Sequence, residues 1–157
     1  MTGRNGLALA VGSGGRAEGQ TQQARRHRAG MDLAHVALWV SDLDASLAFY
    51  CDGLGLDRCW SSKSDGVENV YVGTDGGELQ LRHDPDRTTP VAPSRADVDH
   101  VAFSPGGADA VDAAFERVAQ REDCAVVAEP RVVDPADTYA AFVADPDDYT
   151  VELVAPA

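Results

Sequence analysis

One lysine, Lys63, serves the whole 157-residue chain, and 13 Lys+Arg stand against 26 Asp+Glu for a formal net charge of −13. So few cations exclude the basic footprint that nucleic acid or an anionic membrane requires. The first thirty residues offer no membrane span: their apolar run, Leu7 to Val11, is too short for a span or a secretory core. Cysteine is scarce as well. Cys51, Cys59 and Cys124 show neither CxxC spacing nor an even count, which argues against a disulfide framework or a thiolate metal site and predicts reduced, buried or half-buried thiols in a cytoplasmic protein.

Residues 1–30 lack sustained periodicity and are rich in Gly, Gln and Arg. They read as a disordered tail or an extension ahead of a natural start at Met31, outside a folded domain of residues 31–157. Setting aside their five Arg and one Glu leaves eight basic (13 − 5) and 25 acidic (26 − 1) side chains, a net charge of −17. Such a surface suits a halophilic setting, where counter-ions screen its self-repulsion.

What the chain does contain is a repeat. "LAHVALWV" reads as a strand, and "SDLDASLAFYCDGLGL" as a helix capped by Ser41 or Asp42 and stopped by Gly53 and Gly55. "LDRCWSS", "VENVYVG" and "ELQLRH" follow as strands with turn residues between them. After a linker with three prolines, "VDHVAFS", a helix over "GADAVDAAFERVAQRE", and the strands "CAVVAEPRVV", "TYAAFVAD" and "YTVELVA" repeat the order. The expectation is an α+β fold of two tandem βαβββ modules, about residues 32–84 and 97–155, forming a curved, barrel-like mixed sheet around a cavity with the helices outside.

Strand parity tests where a site would lie, because alternate residues face opposite sides of a sheet. If Val36, Leu38 and Val40 face the helix, His35, Ala37 and Trp39 face the cavity. By the same alternation Glu78, Gln80 and Arg82 face inward opposite Leu79 and Leu81, His100 opposite Val101 and Phe103, and Glu152 opposite Val151 and Leu153. Taken singly, each polar residue is an ordinary strand position. His35 and His100 occupy matching places in the two copies, 65 residues apart (100 − 35), and Gln80 and Glu152 join them on the same face.

Two imidazoles, a carboxylate and an amide oxygen form a mixed N/O donor set that Zn, Ni, Co, Mn or Fe accepts, with positions left for water. Glu78 lies one pleat from Gln80, about 7 Å along the strand, and is the fallback ligand should the register differ. Trp39 and Arg82 share the face as candidate substrate contacts; an arginine paired with an acidic neighbour is the alternative role for Arg82. His83 points the other way and reads as structural or exposed.

These segments resemble the vicinal oxygen chelate superfamily, and within it the short glyoxalase I-like proteins. The likeness spans residues 32 to 155 and rests on "AHVALWVSDLDASLAFYCDGLGL", "ELQL", "DHVAFS" and "AAFVADPDDYTVELV", which is similar to the family's F-x-x-DPDG-[YN]-x-[IV]-E-L close. It implies one divalent metal on His35, Gln80, His100 and Glu152. Two departures stand out. Asp148 replaces the usual glycine of the last turn, which an Asp in the left-handed region tolerates. Gln80 stands where most glyoxalase I enzymes have glutamate, leaving one anionic ligand and one carboxylate, Glu152, to move protons.

The resemblance implies a metal-dependent lyase of the lactoylglutathione lyase kind, isomerising the hemithioacetal of a 2-oxoaldehyde such as methylglyoxal and a thiol, with Glu152 as base and Gln80 assisting. It leaves open an epimerase of the methylmalonyl-CoA type, whose equivalent ligand is glutamine, or a ring-cleaving dioxygenase. A non-catalytic binding protein of the bleomycin-resistance type is the alternative of another class. A homodimer is expected, with the site within one chain or across the two-fold axis.

Overall fold

The computed structural model describes residues 33–74 and 76–157. The expectation for residues 1–30 lies outside the described residues. Strand β1 (His35–Trp39), helix α1 (Leu43–Leu47) with a π-helical turn over Ala48–Gly53, and strands β2 (Asp57–Ser64), β3 (Val67–Thr74) and β4 (Gly77–His83) form the first module. Strand β5 (Val101–Phe103), helix α2 (Ala108–Ala119), and strands β6 (Ala125–Val133), β7 (Thr138–Ala144) and β8 (Thr150–Pro156) form the second. Each module carries a four-stranded sheet of the same order, β1-β4-β3-β2 and β5-β8-β7-β6, in which only the first pair is parallel.

The apolar alternation drives this arrangement. Leu38, Val40, Val70, Val72, Leu79 and Leu81 from one sheet, and Ala141, Val143, Val151 and Leu153 from the other, turn the same way and join Phe49, Tyr50, Val111, Ala114 and Val118 in one core. Burial of those faces against the helices is the main stabilising term. Asp42 caps α1 by accepting from the Ala45 N–H at 3.0 Å, which selects it over Ser41. The helix then widens into the π-helical turn rather than running on as α-helix. At that turn the two helices meet so closely that a Cβ on Gly53 would stand 3.0 Å from Val118 Cγ1. Arg117 Nε donates to the Gly53 carbonyl at 3.1 Å across the same contact.

The expected curved, mixed-sheet fold of two βαβββ modules is present, as two separate sheets rather than one closed barrel. One expectation needs correcting. Cys59 is exposed, unlike the half-buried Cys51 and Cys124. It lies on the edge strand β2, every residue of which is exposed, at the point where the β2–β3 register slips between Arg58 and Trp60. Asp148 sits at φ 67°, the left-handed turn position that the family's glycine would fill.

Candidate metal centre

His100 directly precedes β5, and its ring is held from both sides. Nδ1 lies 2.8 Å from Asp99 Oδ2 and Nε2 lies 3.2 Å from Glu152 Oε2. An ionised carboxylate only accepts, so Asp99 claims the Nδ1 proton. Nε2 of the neutral ring then presents a lone pair to a carboxylate oxygen, and that facing pair requires a cation between them: a proton on Nε2 or a metal ion. Two cis ligands of one ion about 2.1 Å away stand about 3 Å apart, so the pair has the spacing that a metal needs. Carboxylate support of the far ring nitrogen is also the usual means of fixing a ligating imidazole.

The first module repeats the geometry. His35 pairs with Glu78 in the β1–β4 register, and Gln80 stands one pleat beyond it. In the second module Val101 pairs with Val151, so Glu152 stands at the same diagonal from His100 as Gln80 does from His35. Tyr71 pairs with Gln80 and Phe142 with Glu152, and each ring meets its histidine edge-on, at 5.3 and 6.3 Å. Gln80 therefore matches Glu152, whereas Glu78 matches Thr150; the Cys59 thiol donates to the Asp57 carbonyl at 3.6 Å, and desolvation with the neighbouring Glu78 raises its pKa above the ordinary value.

The four residues fall into two pairs. Among the described residues no three His, Cys, Asp or Glu side chains stand close enough to share one ion, so His35 does not reach the His100–Glu152 pair within one chain. Gln80 is engaged elsewhere, donating from Nε2 to Asn69 Oδ1 at 2.9 Å. The sheet surfaces around both pairs are open. Trp60 on β2 is 49% exposed and stacks on Tyr71 at 3.7 Å, and Val126, Val127 and Val132 on β6 are about half exposed.

Trp39 and Arg82 hold each other: the guanidinium lies 4.4 Å from the indole centroid, with Arg87 a second cation at 5.1 Å. Arg82 binds no acid among the described residues, and its Nε donates to Asn69 instead. His83 touches the Val40 carbonyl through Nδ1, a structural role. Two residues that strand parity did not single out, Arg95 and Arg131, line a cleft of about 290 Å³ with His100, Val127 and Phe142. One comes from the linker and the other from an irregular stretch of β6, where alternation carries no information. Their signal in the sequence was scarcity, since cations are few in this chain.

Behind the site lies a buried polar joint between the modules. Asp145 Oδ2 accepts from Tyr50 Oη at 2.8 Å, while its Oδ1 accepts from the backbone of Asp147 and Tyr149. Asp147 in turn accepts from the Ser41 N–H. Desolvation raises the Asp145 carboxyl to about 6 against the lowering effect of those hydrogen bonds, and burial beside Asp145 raises Tyr50 well above the ordinary phenol value.

Two βαβββ modules, each carrying a histidine and a side-chain oxygen donor on an uncovered sheet face, define a duplicated α+β scaffold. The chain belongs to the Glyoxalase/Bleomycin resistance protein/Dioxygenase superfamily, whose family model matches residues 32–153. It is 30% identical over 130 residues to a Synechocystis protein described as "Probable lactoylglutathione lyase", covering 79% of this chain and 95% of that one. In fold it is similar to a glyoxylase/bleomycin resistance protein/dioxygenase domain from Frankia, at TM-score 0.69 and 22% identity, covering 81% and 98% of the two chains. Glyoxalase I from Zea mays matches at TM-score 0.65 and 20% identity, over 80% of this chain and 45% of the maize chain.

Proposed function

We propose that this protein is a divalent-metal-dependent lyase of the glyoxalase I type, acting on the hemithioacetal of a 2-oxoaldehyde and a thiol. The observation that carries the reading is the facing of His100 Nε2 and Glu152 Oε2 at 3.2 Å, with Asp99 Oδ2 2.8 Å from the ring's other nitrogen. The Synechocystis relative supports it. His35, Gln80, His100 and Glu152 are the proposed ligands. Since one chain keeps the two pairs apart, a homodimer would set the first module of one copy against the second module of the other.

When bound, the ion supplies Lewis-acid polarisation of two vicinal oxygens. Glu152, only 16% exposed at its side chain, takes the proton from the carbon bearing sulfur and delivers it to the neighbouring carbonyl carbon. The hydroxyl proton passes to the second oxygen, so a 2-hydroxyacyl thioester forms without any redox co-reactant. Arg95 and Arg131 at the cleft above His100 suit a carboxylate carried by the thiol. Gln80 favours one second reading, an epimerase that shuttles a proton beside a thioester carbonyl, because a neutral ligand leaves Glu152 as the one ligating acid.

The test is elemental analysis of protein purified in high salt, followed by a methylglyoxal-plus-thiol assay with Ni, Co, Mn and Zn and light scattering. Stoichiometric metal, thioester formation and a dimer support the proposal. Metal with epimerisation of an acyl thioester moves it to the second reading; ligand capture without metal or turnover replaces it with a binding protein.

A further inference from the structure

Asn69 on β3 is a buried polar residue, 7% exposed, lying beside the proposed ligand Gln80. Its two amide ends are fixed by partners whose roles are unambiguous. Nδ2 donates to the Val67 carbonyl at 3.2 Å, and Oδ1 receives Arg82 Nε at 3.3 Å. A carbonyl can only accept and a guanidinium can only donate. Oδ1 of Asn69 is therefore an acceptor, and Gln80 has to present its NH₂ to it, as it does at 2.9 Å. The Gln80 carbonyl oxygen is turned away, and among the described residues nothing donates to it. A flipped amide would set two carbonyl oxygens against each other.

We propose that Asn69, braced by Val67 and Arg82, is a positioning residue that holds Gln80 with its amide oxygen, rather than its nitrogen, offered to a divalent cation. This rests on the metal reading above and adds to it a residue that touches neither metal nor substrate. The second module shows why the device is local. Asn69 pairs with Arg82 in the first sheet, and the matching pair in the second is Ala140 with Val154. Glu152 has two equivalent oxygens and no wrong way round, so nothing beneath it needs to choose. An amide ligand does need that choice, since its nitrogen has no lone pair for a metal.

The experiment measures Co²⁺ affinity of the full-length protein against a competing chelator in four forms: wild type, Asn69→Ala, Gln80→Glu and the double variant. Asn69→Ala is expected to weaken Co²⁺ binding about 10- to 100-fold when Gln80 is intact. In the Gln80→Glu background the same change should have no effect or tighten binding, because a carboxylate gains from losing the Asn69 oxygen. An equal loss in both backgrounds overturns the proposal. If Asn69→Ala does not fold, Asn69→Asp decides: it keeps both acceptor bonds and should hold affinity when Gln80 is intact but weaken it in the Gln80→Glu background, and the reverse order refutes the role. In metal-free wild type the Gln80 side-chain NH₂ protons should exchange slowly with solvent, and fast exchange also refutes it. Slow exchange with no Co²⁺ binding by the wild type would leave the amide orientation standing and sink the metal reading alone.

Discussion

The two modules share a backbone plan and differ in what lies beneath their ligand-type residues. Each sets a histidine edge-on to an aromatic ring and places an oxygen donor one pleat along the neighbouring strand. In the second module imidazole and carboxylate touch, at 3.2 Å. In the first, the amide is drawn onto Asn69, which Arg82 braces, polar residues with only Ala140 and Val154 as counterparts. Duplicated topology fixes where a side chain stands; the adjoining strand decides which of its atoms is presented.

The most severe way to break the contrast is to make the halves chemically alike. Glu152→Gln leaves no ligating carboxylate, and with it goes the group proposed to move the proton. Turnover should fall about 10²- to 10⁴-fold, measured as kcat with a saturating divalent ion, while circular dichroism stays that of the wild type. Unchanged turnover would assign proton transfer elsewhere. Asp99→Ala is the next step down. It removes the acceptor that fixes the His100 tautomer, and metal affinity should drop about 10-fold or more, read by chelator competition.

A different lever is the joint that ties the modules together. Burial raises the Asp145 carboxyl to about 6 from an ordinary value of 3.8, so the folded chain holds that proton more tightly than the unfolded one. The stabilisation is fully present below the ordinary value and is lost as pH rises through about 6, amounting at most to about 3 kcal/mol. Asp145→Asn keeps an oxygen for the Asp147 and Tyr149 N–H groups and removes the charge. Relative to wild type, the variant should gain stability between pH 4 and pH 7.5 in urea titrations. Parallel pH profiles would show that the carboxyl ionises alike in the folded and unfolded chains, so that burial does not raise it.

Much of this was legible in the sequence because period-2 alternation is a strong signal when one face of a strand is fully buried. Leu38, Leu79, Leu81, Val151 and Leu153 all turn to the core, and that places His35, Gln80 and Glu152 on the opposite face. Alternation reports faces and not distances between sheets, so it did not reveal that the two pairs stay apart in one chain. Nor did it find Asn69, Arg95 or Asp145. Asn69 matters through the partners of its two amide ends, Arg95 through the path of the linker, and Asp145 through burial imposed by the other module. Cys59 escaped for a simpler reason, since it lies on an edge strand with no buried face.

The smallest effect sharpens the meaning of the Asp145 result by reversing its sign. Asp123 receives both Nε and an NH2 group of Arg121, at 2.8 and 2.9 Å, and that hydrogen-bonded cation holds its carboxyl below the ordinary value. Its contribution is therefore present above the ordinary carboxylate range and lost as pH falls through the lowered value. Both side chains remain partly exposed, at 25% and 31%, so solvent and salt screen the pair and limit it to less than about 1 kcal/mol. Arg121→Ala should lower stability slightly at pH 7.5, and less so in molar KCl or near pH 3, in the same urea titrations. A loss undiminished by salt would mean that the packing of the arginine stem, rather than its charge, carries the contribution.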